Sequence, residues 1–158
     1  MKKKREIETR EEIDAVIHGS VVCRIAMAVD NRPYIVPLSF GYDGKAIYLH
    51  TGMKGKKIDH FLNNDSVCFE VERNAKIREN GQKACRWSFT YETVIGYGTI
   101  RELKKPVDRE HALNQIMRHY SGKAWQFDGE ALTRTRLWKI DIETLTGKRN
   151  GNTGEEQA

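Results

Sequence analysis

Ile47-Tyr48-Leu49-His50-Thr51-Gly52-Met53-Lys54-Gly55-Lys56-Lys57-Ile58 is the stretch on which the reading of this chain turns. Ile47 and Leu49 alternate with Tyr48 and His50, the two-residue period of a strand. The pattern breaks at Gly52, and Ile58, Phe61 and Leu62 then fall on one helical stripe. The predicted strand therefore passes through a glycine-containing turn into a helix whose start carries Lys54, Lys56 and Lys57. A helix N-terminus is partially positive and favours acids. Three lysines there repel the dipole and one another unless an anion sits among them. Free N–H groups, glycines and lysines together suit a phosphate, although a solvated basic loop has the same composition. His50 shares a face with Tyr48. If Ile47 and Leu49 fill a core, His50 looks outward, toward a helix, a ligand or a partner chain.

Upstream, residues 34–42 alternate cleanly, with Tyr34, Val36, Leu38, Phe40 and Tyr42 on one face. Asp30-Asn31-Arg32-Pro33 reads as a turn after a strand over 20–29, and Asp43-Gly44 as a type I′ hairpin signal. Thr9 and Glu12 form a capping-box pattern ahead of Ile13, Val16 and Ile17, which predicts an opening amphipathic helix. Downstream, Asn63-Asn64-Asp65 stops the lysine-led helix and 67–71 is a strand. Residues 73–83 are polar and read as a loop or irregular hairpin. Residues 87–100 form a long strand with Gly96 and Gly98 at a bend or bulge. A second amphipathic helix follows over 106–120, and a last strand over 137–145. Residues 121–135 are ambiguous, and 149–158 are expected to be a disordered polar tail. Hairpins dominate this order, so the expected fold is mainly β with flanking helices, a closed or partly split β-barrel in one domain over 1–148.

The chain has 158 residues and a net charge of +5, four of those positive charges lying in Lys2-Lys3-Lys4-Arg5. No apolar stretch follows that run, so a secretory signal is not expected, nor is any segment long enough to cross a membrane. Cys23, Cys68 and Cys85 form no CxxC pair. They are expected to be reduced thiols in a cytoplasmic protein, with no metal site. Walker A, GxSxG, HExxH and Rossmann GxGxxG sequences are absent, which leaves nucleophilic catalysis and a dinucleotide fold without support. Basic charge alone does not argue for nucleic acid, since no RNP, KH or helix-turn-helix pattern accompanies it. Trp87, Phe89, Tyr91 and Thr93 share one strand face; with Tyr34, Phe40, Tyr48 and Tyr97 they could wall a planar ring or simply pack a core.

Taken in order, 33–40, 47–50, 55–58, 64–71 and 91–98, closed by Leu145-Thr146-Gly147-Lys148, resemble the successive blocks of the pyridoxamine 5′-phosphate oxidase-like split-barrel flavoproteins. The 5-nitroimidazole-resistance (nitroimidazole reductase) branch is the most similar, although it more usually has Ser at the position of Thr93. The resemblance spans most of residues 9–148. It implies an FMN-binding homodimer with flavin sites between subunits. By position, Lys56 and Lys57 match the basic pair on the FMN phosphate, and His50 and Thr51 line flavin and phosphate. Val36, Pro37 and Leu38 match the strand whose backbone meets the ring. Trp87, Tyr91 and Thr93 match a segment supplied by the second subunit. The implied chemistry is two-electron transfer from a nicotinamide or other donor to a small-molecule acceptor, with His50 as candidate proton donor. Other readings on the same barrel are pyridoxamine 5′-phosphate oxidation itself, for which no C-terminal substrate-binding stretch is evident, and a non-catalytic flavin or haem carrier with His50 as haem ligand.

Overall fold

The computed structural model describes residues 5–151. In chain order its elements are β1 (Glu6–Ile7), α1 (Arg10–His18), β2 (Cys23–Val29), β3 (Arg32–Leu38), β4 (Gly41–Tyr42), β5 (Ala46–Thr51), α2 (Lys56–Asn63), β6 (Ser66–Arg78), β7 (Ser88–Glu102), α3 (Pro106–Ser121), α4 (Gly129–Thr133) and β8 (Arg136–Asn150). The strands form one antiparallel sheet in the order β3-β2-β6-β7-β8-β5-β4, and β1 pairs with the far end of β8. β3 and β4 stand at opposite ends of this order, yet only Ser39 and Phe40 separate them in the chain. So short a link can span only about 10 Å. The sheet must curl until its two ends meet, and it does so without pairing β3 to β4: a split barrel.

Local chemistry explains most boundaries. Thr9 caps α1, its Oγ accepting from the Glu12 N–H. The Glu12 carboxylate returns to the Thr9 hydroxyl. The β2–β3 turn is Asp30-Asn31, both at positive φ (51° and 58°), the type I′ requirement. It is shorter than the four-residue turn expected, because Arg32 and Pro33 pair with Val29 and Ala28. Proline is tolerated there because β3 is an edge strand. At Asp43-Gly44 only Gly44 has positive φ, so this is not a type I′ turn. The Asp43 carboxylate holds the loop instead, accepting from the N–H groups of Lys45 and Ala46.

β6 runs well past residue 71 and bulges between Arg73 and Lys76, so most of the expected loop over 73–83 is an irregular hairpin arm. Gly96 is required by packing: a Cβ there would lie 2.2 Å from the buried Phe69 ring. The expected irregularity near Gly98 is a register shift between Tyr97 and Gly98. β8 continues through Arg149 and Asn150, the first two residues of the expected tail. There they pair with Glu92 and Tyr91, and the Arg149 N–H donates to the Arg5 carbonyl. The rest of the expected tail, 152–158, lies outside the described residues.

Two apolar clusters hold the barrel. One fills it, with Ile25, Phe69, Val94 and Ile140 packed against Val16 and Ile17 of α1. The other seats α3, with Ala112 and Ile116 on Tyr48, Leu103 and Leu137. No helix among the described residues is long and apolar enough to cross a membrane.

Candidate functional site at the barrel split

β5 sorts its side chains as the alternation requires. Ile47 and Leu49 enter the barrel, Tyr48 goes beneath α3, and His50 is exposed. His50 Nδ1 lies 3.5 Å from Ser39 Oγ, in the link between β3 and β4. Part of the ring still packs against protein, and this loss of water lowers the imidazole pKa below its ordinary value. Thr51 is buried. Its Oγ accepts from the Trp138 indole (3.0 Å) and donates to the Gly52 carbonyl (2.9 Å), so its hydroxyl fixes the turn.

α2 then begins without a side-chain cap, on Gly55 at φ 144°, a value that disfavours any other residue. A Cβ at Gly52 or Gly55 would meet nothing within 4 Å, so the space over the turn is open. Lys54 and Lys56 are exposed and Lys57 is half-buried. Lys56 Nζ stands 4.4 Å from the centre of the Tyr34 ring on β3. Three contacts thus bridge the split, Ser39 with His50 and Tyr34 with both Lys56 and His60. Of the three expected β3 residues, Val36 is buried, Leu38 is partly buried and Pro37 is exposed. As an edge strand, β3 leaves one side of its backbone free for a ligand.

Trp87, Tyr91 and Thr93 do not join this group within one chain. β8 separates β7 from β5. Thr93 lies nine residues along β7 from Glu102, roughly 30 Å at strand rise. The Trp87 indole donates to the Gly81 carbonyl, Tyr91 packs on Phe89 (5.1 Å), and Thr93 donates to Glu70. Their strand face is open and mixed: the Arg24–Glu70 ion pair lies beside Ile95 and Thr93, and an apolar row runs next to it. Ile35, Ala26, Cys68 and Tyr97 stand in one cross-strand row, with Ile35 and Tyr97 more than half exposed, and Ile95 and Phe89 extend it.

Four residues at the split carried no signal in sequence. Ser39 faces His50. Tyr120, at the end of α3, donates to the Val21 carbonyl and accepts from the Phe40 N–H, so it clamps the β3–β4 link. Arg136 and Glu102 form an ion pair behind the 51–54 turn. Ser39 and His50 are 11 positions apart and the other pairs 34 or more, and only the fold brings them together.

A barrel split between two edge strands, with an uncapped, lysine-flanked helix start beside the split, defines a split-barrel protein. The sequence profile of the family described as pyridoxamine 5′-phosphate oxidase matches residues 9–149, and the chain belongs to that family. A crystal structure of a candidate 5-nitroimidazole antibiotic resistance protein from Bacteroides thetaiotaomicron is similar at TM-score 0.80 and 28% identity, over 91% of this chain and 86% of that one. An FAD-binding protein from Mesorhizobium loti is similar at TM-score 0.67 and 26% identity, over 93% and 98%. The FAD and haem binding protein of Mycobacterium smegmatis shares the fold at TM-score 0.79 and 14% identity, over 98% and 77%. An uncharacterised protein of Rhizobium meliloti is 32% identical over 73 residues, 46% of this chain; the match spans about half of that relative's length.

Proposed function

We propose that this protein is an FMN-dependent oxidoreductase, working as a homodimer, that takes electrons from a nicotinamide and passes two of them to a small-molecule acceptor. One observation carries the reading. The lysine-flanked start of α2, His50 and the free edge of β3 all open onto the same split. The relative described as FAD-binding supports a flavin, and the open space over Gly52 and Gly55 leaves room for its phosphate end.

In this reading Lys56 and Lys57, with the first N–H groups of α2, hold the phosphate. The backbone of Val36, Pro37 and Leu38 orients the ring. Trp87, Tyr91 and Thr93 of the partner subunit wall it from the other side. Bound FMN supplies the hydride and two-electron chemistry. His50 holds or gives a proton at the ring edge, and its lowered pKa keeps it mostly neutral at pH 7. The open apolar row from Ile35 to Tyr97 is the surface that a second copy covers, which also brings the partner's β7 to this split.

The exposed His50 also suits a haem ligand, so a carrier of haem or flavin is the second reading. The absorbance spectrum of purified protein with added FMN, read with solution mass, tests both. Flavin bands on a dimer and nicotinamide-dependent bleaching are expected. A Soret band selects the carrier reading. A colourless monomer that leaves FMN free overturns the first.

A further inference from the structure

The 51–54 turn is fixed from behind by one side chain that the family resemblance does not assign. Arg136 pairs with Thr51 across β5 and β8, and its Nη1 reaches the Met53 carbonyl at 3.5 Å. Its guanidinium lies over the Trp138 ring at 5.1 Å, and that indole donates to Thr51 Oγ. Both ends of the turn are therefore held by one stacked Arg–Trp unit. The other side of the fork grips Glu102 twice, Nε to Oε1 at 3.0 Å and Nη2 to Oε2 at 2.6 Å. Lys104 Nζ shares the same Oε2 at 2.8 Å.

Only 19% of the Arg136 side chain is exposed. Burying a guanidinium needs compensation, and Glu102 provides it. But that carboxylate is shared with Lys104, and Lys54, Lys56 and Lys57 stand on the turn and helix start in front. Arg136 and Lys104 already share Glu102, and Asp59 is the one carboxylate in the first turn of α2 beside the three lysines. The imbalance favours an anion at the front of the turn. Lysine would not substitute well for Arg136, because a point charge cannot grip Glu102 twice, lie flat on Trp138 and reach Met53.

We infer that Arg136 is a positioning residue for the phosphate subsite: held by Glu102 and stacked on Trp138, it fixes the Met53 turn from behind and sets the selectivity of the cleft for a phosphorylated over a non-phosphorylated flavin. The inference rests on the flavin reading of the cleft. It concerns the phosphate end alone, so the ring should be indifferent to it.

Affinities of FMN and riboflavin for the full-length protein, measured by fluorescence quenching, test it with wild type, Arg136→Gln, Arg136→Lys and Glu102→Gln. In Arg136→Gln, FMN should weaken at least tenfold and riboflavin less than twofold. Glu102→Gln releases the fork and should weaken FMN about threefold, again sparing riboflavin. The 31P resonance of bound FMN should shift in both variants. Arg136→Lys keeps the charge and the aliphatic stem. It should lose threefold or more on FMN alone, and it carries the test if the glutamine variant does not fold. Equal losses on both flavins, or an unchanged ratio, overturn the role of Arg136. A wild-type protein that binds riboflavin as tightly as FMN, or neither, overturns the phosphate reading of the cleft itself.

Discussion

Ser39 Oγ and His50 Nδ1 lie 3.5 Å apart across the split of the barrel, one in the link between β3 and β4, the other near the end of β5. The link is held by Tyr120, which accepts from the N–H of Phe40. Two elements far apart in the strand order thus present a hydroxyl and an imidazole to the same cleft.

His50 sets the first expectation. Its folded pKa lies below the ordinary 6.5, so the imidazolium disappears as pH rises through that lowered value. If His50 supplies the proton, turnover should fall along a limb centred below pH 6.5. His50→Ala should lower the rate by about 10²-fold and abolish that limb while FMN stays bound. Full turnover in this variant, with flavin in place, removes His50 from the chemistry.

Lys57 and Lys56 set the second. Each charge-assisted contact to a phosphate should contribute about 1.4 kcal/mol, a tenfold change in affinity. Lys57→Ala and Lys56→Ala should each weaken FMN about tenfold in an equilibrium titration and leave riboflavin nearly unchanged. Losing Lys56 should also alter the environment of Tyr34, on whose ring it rests. Equal weakening of both flavins would place the phosphate elsewhere.

The open sheet face sets the third. Tyr97→Glu puts a charge at the β7 end of the row formed with Cys68, Ala26 and Ile35. Sedimentation should change from about twice the 18.2 kDa of one chain to that of a single chain. FMN affinity should fall in parallel, since the split then lacks the partner's β7. A wild-type protein that sediments as one chain at all concentrations contradicts the dimer outright.

Packing around Phe69 sets the fourth. Gly96→Ala would bring a methyl group to 2.2 Å from a fully buried ring that has nowhere to turn. Overpacking of this kind costs about 1–3 kcal/mol, visible as a lower midpoint in urea. An unchanged midpoint would mean that the strand pair β6–β7 is less tightly packed than described.

Glu102 sets the fifth. Its hydrogen bonds from Arg136 hold the carboxyl down at about 2, against the ordinary 4.5 of a glutamate. As pH falls, the unfolded chain takes up this proton first. The stabilisation is therefore complete above about pH 4.5 and lost as pH falls toward 2. About 1–2 kcal/mol is expected after allowance for solvent screening. Glu102→Gln should flatten this part of the stability–pH curve; an unchanged acid slope would show that the pair contributes nothing to it.

Much of this was legible in the chain. The β5–turn–α2 unit was, because period-two alternation and a wrong-sign helix start are local signals. So was the outward face of His50. The length of β6 and β8 was not. Polar residues such as Arg73, Lys76 and Arg149 carry no strand signature, and they extend only because a partner strand already runs beside them. The resemblance implies that Thr51 lines the ligand, whereas its hydroxyl accepts from the Trp138 indole, 87 positions away. Arg136, Glu102 and Tyr120 stayed hidden for the same reason, since a residue's charge is written in sequence and its neighbour is not.

β8 carries a consequence for how the molecule comes into being. It follows every other strand in the chain, yet it joins β7 to β5 and holds β1 as well. Until it is made, β2, β3, β6 and β7 can pair, but the β4–β5 hairpin has no strand that joins it to them. The split therefore cannot take shape before β8 is in place. It closes only once β8 has been made, with Glu6 and Ile7 of β1 pairing across about 140 positions to Lys148 and Gly147.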